Sequence, residues 1–240
     1  MAVDKSDNRV QQMFGAIAPA YDRMNHLLSL SVDRYWRWRT TRIVRPEDRG
    51  PILDVCTGTG DLALAFARRT RGEVPIVATD FCAAMLELGR AKSQRSGTGR
   101  KVTFLEADTQ ALPFAASTFQ IVSVAFGLRN VANTDQALRE MARVCCPQGR
   151  VAVLEFSLPR YQPMRAMYGW YFRRILPRIG QWLARNDHQA YRYLPESVDE
   201  FPERAELVQR MESAGLRHVR YYSLTGGIAT LYVGVKTNDS

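Results

Sequence analysis

From Pro51 onwards the chain alternates short apolar runs with stretches of helical rhythm. Ile52-Leu53-Asp54-Val55 closes on the turn Cys56-Thr57-Gly58-Thr59-Gly60. Leu62 to Ala67 then places apolar side chains at helical spacing, and Ile76-Val77-Ala78-Thr79-Asp80 is a second apolar run ended by a carboxylate. Two such runs separated by one helix-length predict a βαβ unit with parallel, buried strands. The pattern continues with a helix from Ala83 to Lys92, a third strand from Val102 to Glu106 and a fourth from Phe119 to Ala125. A helix from Asp135 to Val144 follows, ended by Cys146-Pro147-Gln148-Gly149, and then a fifth strand from Arg150 to Phe156. Near the end, a helix from Glu203 to Ala214 stops at Gly215. Two strands, His218 to Leu224 and Ile228 to Lys236, are parted only by Thr225-Gly226-Gly227, so the last returns antiparallel. Upstream, Val10 to Val44 reads as a helical cap broken at Ala18-Pro19-Ala20, with Asp33 as N-cap of a Trp/Arg-rich helix. The pattern thus predicts an α/β chain of one domain: a helical cap (1–50), a core (51–157), a helical insertion (158–200), and a C-terminal helix and hairpin (201–240).

Composition narrows this picture. At 240 residues, 46% hydrophobic and 10% aromatic, the chain can bury a sizeable core. No unbroken apolar run approaches the ~20 residues of a membrane-spanning helix, which predicts a soluble protein. Cys56, Cys82, Cys145 and Cys146 have no metal-ligand or disulfide spacing, and Met1-Ala2-Val3-Asp4-Lys5 does not open a secretory signal, so no metal and a cytoplasmic location are expected. The net charge of +9 implies an anionic partner. Its arginines gather at Arg34, Arg37, Arg39, Arg42 and Arg45, and again between Arg160 and Arg185, away from the glycine-rich turn. Such a distribution suits peripheral contact with an anionic membrane surface, and equally a solvated face.

The glycine-rich turn carries the chemistry. Gly58 and Gly60 let the backbone turn tightly and approach a ligand, and the helix that starts there offers free N–H groups. Asp80, at the end of the second strand, is placed to accept both hydroxyls of a ribose. Gly58, Gly60 and Ala63 also satisfy the dinucleotide fingerprint, so a nicotinamide enzyme has to be weighed. Asp54 argues against it: a carboxylate just before the turn suits an amino group and gives a pyrophosphate nothing. Asp108 and Thr109, after the third strand, offer a polar clamp for an adenine amine. Three acids at successive strand ends suit a cationic, phosphate-free cofactor, S-adenosylmethionine. A hydride-transfer pair is also lacking, since Tyr232 and Lys236 have the right spacing but lie in a terminal strand.

A seven-stranded sheet with an antiparallel last strand is typical of class I methyltransferases, and nearly the whole chain resembles the ubiquinone/menaquinone biosynthesis C-methyltransferase family. The resemblance rests on Ala18-Pro19-Ala20-Tyr21-Asp22-Arg23-Met24-Asn25, Thr57 to Leu62, Phe126-Gly127-Leu128-Arg129-Asn130, Leu154-Glu155-Phe156-Ser157, Tyr191-Arg192-Tyr193-Leu194-Pro195-Glu196-Ser197 and Tyr222 to Gly227. It implies that Thr59, Asp80, Asp108 and Thr109 contact S-adenosylmethionine, and that the substrate is a polyprenylated quinol. Ala125 stands where some members have a serine. Methylating a ring carbon calls for an anion stabiliser and a proton acceptor beside the ring. Arg129 is the candidate for holding the developing phenolate, Asn130 for holding a water or ring oxygen, and Tyr21 for closing over the cofactor. In the insertion, Met164, Met167, Tyr168, Tyr171, Ile175 and Leu176 share helical spacing that suits a prenyl tail. The competing reading is an RNA-binding methyltransferase in which Tyr35, Trp36 and Trp38 stack bases, although no base-flipping signature follows the fourth strand. The naphthoquinol or benzoquinol identity of the ring stays open, as does a homo-oligomer.

Overall fold

The computed structural model describes residues 29–47, 49–97, 101–159, 161–170 and 200–237, with Gln11, Met13, Gly15, Ala18, Asp22, Arg174, Ser197 and Val198. Tyr21, the Tyr191 to Glu196 string, and the insertion from Tyr171 to Ala190 other than Arg174 lie outside the described residues. The elements in chain order are α1 (Val32–Ile43), β1 (Ile52–Val55), α2 (Asp61–Arg69), β2 (Ile76–Asp80), α3 (Ala83–Arg95), β3 (Val102–Glu106) and β4 (Phe119–Ala125). They continue with α4 (Thr134–Val144), β5 (Cys145–Phe156), α5 (Gln162–Trp170), α6 (Ala205–Ser213), β6 (Leu216–Leu224) and β7 (Ala229–Lys236). The strands form one sheet in the order β3-β2-β1-β4-β5-β7-β6. Pairing is parallel from β3 through β5, while β7 runs antiparallel to both its neighbours.

Apolar side chains alternate between the two faces of the sheet. Ile52, Ile121, Ala152 and Leu154 point into a core with Trp36 of α1, Leu62 and Phe66 of α2, and Leu86 of α3. Leu53, Val55, Val122, Val124, Val151 and Val153 point into the opposite core, against Leu138 and Met141 of α4 and Leu207 and Met211 of α6. Helices on both faces explain why β1 and β4 are buried almost throughout: neither face meets water.

The structure corrects three local expectations. Asp33 is not the N-cap of α1 but lies in its first turn, 3% exposed, accepting from the Ser29 hydroxyl and from the Arg37 guanidinium one turn on. Trp36 is no base-stacking platform: it is 2% exposed, donates its indole N–H to Thr225 Oγ1 at 2.8 Å and packs on Phe126 and Phe156. The fifth strand, expected from Arg150, begins at Cys145, which pairs with Phe119 of β4. An irregularity in register between Phe119 and Ile121 absorbs the extra residues. No helix among the described residues is long and apolar enough to cross a membrane.

Candidate active site

In the strand order, the chain runs outward from β1 to β3 and then returns to the other side of β1 with β4. The sheet therefore opens a crevice past the carboxyl ends of β1 and β4, where ligands bind in folds of this kind. A cavity is found there. It is lined by Asp54, the Cys56 to Thr59 turn, Asp61, Asp80, Phe81, Met85, the Ala125 to Gly127 turn, Asn130 and, from α1, Arg37.

The turn after β1 is shaped by left-handed backbone at Cys56 (φ 47°), Gly58 (φ 56°) and Gly60 (φ 82°). Gly60 also approaches β3 so closely that a Cβ would lie 2.8 Å from the Phe104 ring. The Gly58 N–H donates to one oxygen of Asp80 at 2.7 Å and the Cys82 N–H to the other at 2.9 Å, so this carboxylate is aimed by two backbone donors. Asp54 is 1% exposed and accepts from the hydroxyls of Thr57 (2.5 Å) and Ser123 (2.7 Å). Burial pushes both carboxyls up to about 6, despite these hydrogen bonds. Burial and the nearby Asp80 carboxylate push the Cys56 thiol upward as well, which makes it a neutral packing group rather than a nucleophile.

The second wall follows β4. Phe126 adopts φ 59°, and Gly127 presses on the first turn so tightly that a Cβ there would meet the Cys56 Cβ at 2.5 Å. Asn130 lines the cavity with a buried Oδ1 that has no hydrogen-bond partner among the described residues. A buried acceptor left unpaired is unfavourable, so this oxygen marks a place for a donor from a ligand or water.

Arg129 is placed differently from the expectation of a cation facing the ring. It is 5% exposed behind the cavity wall, 2.9 Å from Glu155, which is itself 1% exposed. The guanidinium also donates to the Phe126 carbonyl and sits over the Phe156 ring, while Glu155 accepts the Arg129 N–H. The pair fixes the Phe126 turn from behind. Thr59 lines the cavity, its hydroxyl donating to Asp22 and accepting from Lys92, which also pairs with Asp61. Asp108 and Thr109 lie off the described lining: Asp108 is exposed and accepts the Gln110 N–H, and the Thr109 hydroxyl sits 3.2 Å from Cys56 Sγ. Arg37 was missed as a site residue because it sits in an arginine-rich stretch. The one available signal was its i, i+4 spacing from Asp33.

The model of the ubiE/COQ5 methyltransferase family matches residues 2–236. Two curated relatives share the description "Ubiquinone/menaquinone biosynthesis C-methyltransferase UbiE". That of Geotalea uraniireducens is 43% identical over 95% of this chain and 96% of its own length. That of Geobacter sulfurreducens is 45% identical over 95% of this chain and 88% of its own. Among solved structures, a SAM-dependent methyltransferase from Thermotoga maritima superposes with a TM-score of 0.65 at 16% identity, over 94% of this chain and 99% of the other. That likeness carries the fold.

Proposed function

Since the chain belongs to the ubiE/COQ5 methyltransferase family, and is therefore an S-adenosylmethionine-dependent methyltransferase, we propose that it methylates a ring carbon of a polyprenylated quinol. The observation that carries the cofactor's place is the pair of buried carboxylates, Asp54 and Asp80, at one crevice. A phosphate-bearing ligand would be repelled there, whereas a sulfonium with ribose hydroxyls and an amino group meets acceptors of the right charge. The residues fit the group. Asp80 would hold the ribose hydroxyls, Asp54 with Thr57 would face the amino group, and Gly58, Thr59 and Gly60 would supply the close backbone approach. Asp108 and Thr109 would border the adenine.

The cofactor supplies an electrophilic methyl, and the chain must supply position, proton management and dryness. Asn130, with its unpaired carbonyl oxygen, is placed to accept the quinol O–H or a water that carries its proton away. Arg129 acts through the Phe126 turn, which it braces from behind the wall while its charge is met by Glu155. Tyr21 is proposed to close the site from the N-terminal side. The test is transfer of a labelled methyl from S-adenosylmethionine to demethylated naphthoquinol and benzoquinol acceptors: incorporation into a ring carbon of either supports the reading, and incorporation into neither sinks it.

A pH dependence follows from the site. With folded values raised to about 6 from an ordinary 3.8, Asp54 and Asp80 lose stability for the cofactor-free fold as pH rises between those values, and they carry full charge only above about 6. Cofactor affinity should therefore hold at neutral pH and weaken as pH falls through about 6, as calorimetric titration at several pH values would show. A flat profile down to pH 5 would contradict the charge roles given to both groups.

We further propose that the enzyme meets an anionic membrane through the outer face of α1 and α2. Arg34, Arg39, Arg42, Arg68, Arg69 and Arg71 are exposed there, with Trp38 and Tyr35 about half-exposed beside them. Arg42 stacks on Trp38, and aromatic rings among arginines suit a headgroup layer. Binding to anionic vesicles should be lost at high salt, since exposed charges are screened. Equal binding to neutral vesicles, or preferential binding to RNA, would count against this face as a lipid contact.

A further inference from the structure

We infer that Arg37 binds the carboxylate of the cofactor's methionine moiety, an inference that rests on the cofactor reading above. Among the described residues lining the cavity, Arg37 is the only cation, against the acids Asp54, Asp61 and Asp80. S-adenosylmethionine has two positive centres, the sulfonium and the ammonium, and one negative centre, the carboxylate. The acids suit the first two. They would repel the third unless a cation faced it.

The geometry of Arg37 suits that task. One terminal nitrogen donates to Asp33 at 2.5 Å, and the guanidinium lies over the Phe126 ring, its carbon 5.4 Å from the ring centroid. These contacts hold the plane in place without using up the fork. The other terminal nitrogen is 3.7 Å from Asp61, too far for a hydrogen bond, and Asp61 is already met by Lys92 at 2.7 Å. The Nε–H is buried and has no partner among the described residues. A guanidinium offers five donors in one plane, and an adjacent pair of them matches the two oxygens of a carboxylate. The side chain is only 12% exposed and stands between the crevice and the basic groove of α1 and α2, lining both. Arg37 thus makes α1 part of the cofactor site and selects for a ligand that keeps its amino-acid end.

The test compares ligands that differ in that end. S-adenosylhomocysteine carries the carboxylate, its decarboxylated analogue lacks only that group, and methylthioadenosine lacks the whole amino-acid moiety. By calorimetry, Arg37→Gln should weaken S-adenosylhomocysteine about tenfold or more, the size of a charge-assisted hydrogen bond, and leave methylthioadenosine unchanged. Arg37→Lys should restore part of the loss. With wild-type protein the decarboxylated analogue should bind about tenfold more weakly than S-adenosylhomocysteine, a comparison that decides the matter even if the variants fail to fold. Equal weakening of all three ligands by Arg37→Gln, or equal wild-type affinity with and without the carboxylate, would overturn the inference. Failure of the wild-type protein to bind any of them would instead overturn the cofactor reading on which it stands.

Discussion

Replacing Arg129 with alanine should destabilise the protein by about 3–5 kcal/mol, the cost found when one member of a buried ion pair is removed. Glu155 is 1% exposed and would be left in the core without its cation. Among the described residues it would also keep only the backbone N–H groups of Arg129 and Phe156 as hydrogen-bond partners. The pair itself need not be strongly stabilising, because taking two charges out of water offsets much of their attraction. Arg129→Met combined with Glu155→Gln should therefore recover part of the loss, since glutamine carries no charge and its one carbonyl oxygen still accepts from one of those N–H groups. Denaturant unfolding of the single and double variants measures this directly. Wild-type stability in Arg129→Ala, with turnover lost and cofactor affinity intact, would return Arg129 to the role its sequence position suggests, an anion stabiliser facing the ring.

Asp80→Ala should weaken S-adenosylmethionine binding at least tenfold, because charge-assisted hydrogen bonds are worth about 1.5–3 kcal/mol each and two ribose hydroxyls would lose their acceptor. The same substitution frees the Gly58 and Cys82 N–H groups, so the glycine-rich turn loses its anchor on β2. Asp80→Asn separates these effects in part, by removing the charge while keeping one of the two acceptor oxygens used by those N–H groups. Burial raises the Asp80 carboxyl to about 6, which means that its ionised form is unfavourable to the fold at neutral pH. Asp80→Asn is accordingly expected to lower affinity more than thermal stability, because relief of the buried charge offsets part of the loss of one backbone hydrogen bond. An unchanged dissociation constant in a folded Asp80→Ala protein would remove this residue from the site.

How far the sequence went depends on the range of the interactions involved. The strands from Val102 to Glu106 and from Phe119 to Ala125 were legible to the residue, because each is a short apolar run with turn signals at both ends. Asp80 was legible too, since its place at a strand end after a glycine-rich turn is a local pattern. The start of β5 was not: the proline and glycine after Cys146 mark the end of a helix, and the pairing of Cys145 with Phe119, across an irregularity at Cys146 to Gly149, is a non-local contact. Trp36 and Arg37 were both read as surface residues because the helix around them is dense in arginine. Their burial depends on Phe126, Phe156 and Thr225, which are distant in sequence. Arg129 and Glu155 each belonged to a recognised string, but nothing local joined the two strings into one ion pair.

The most direct measurement of the central claim is a crystal structure of the protein with S-adenosylhomocysteine. The ribose hydroxyls should lie within hydrogen-bond distance of Asp80, and the sulfur should point between Asn130 and the Phe126 turn. A ligand seated elsewhere, for instance among the arginines on the outer face of α1 and α2, or one in the crevice with its ribose turned away from Asp80, would contradict the account.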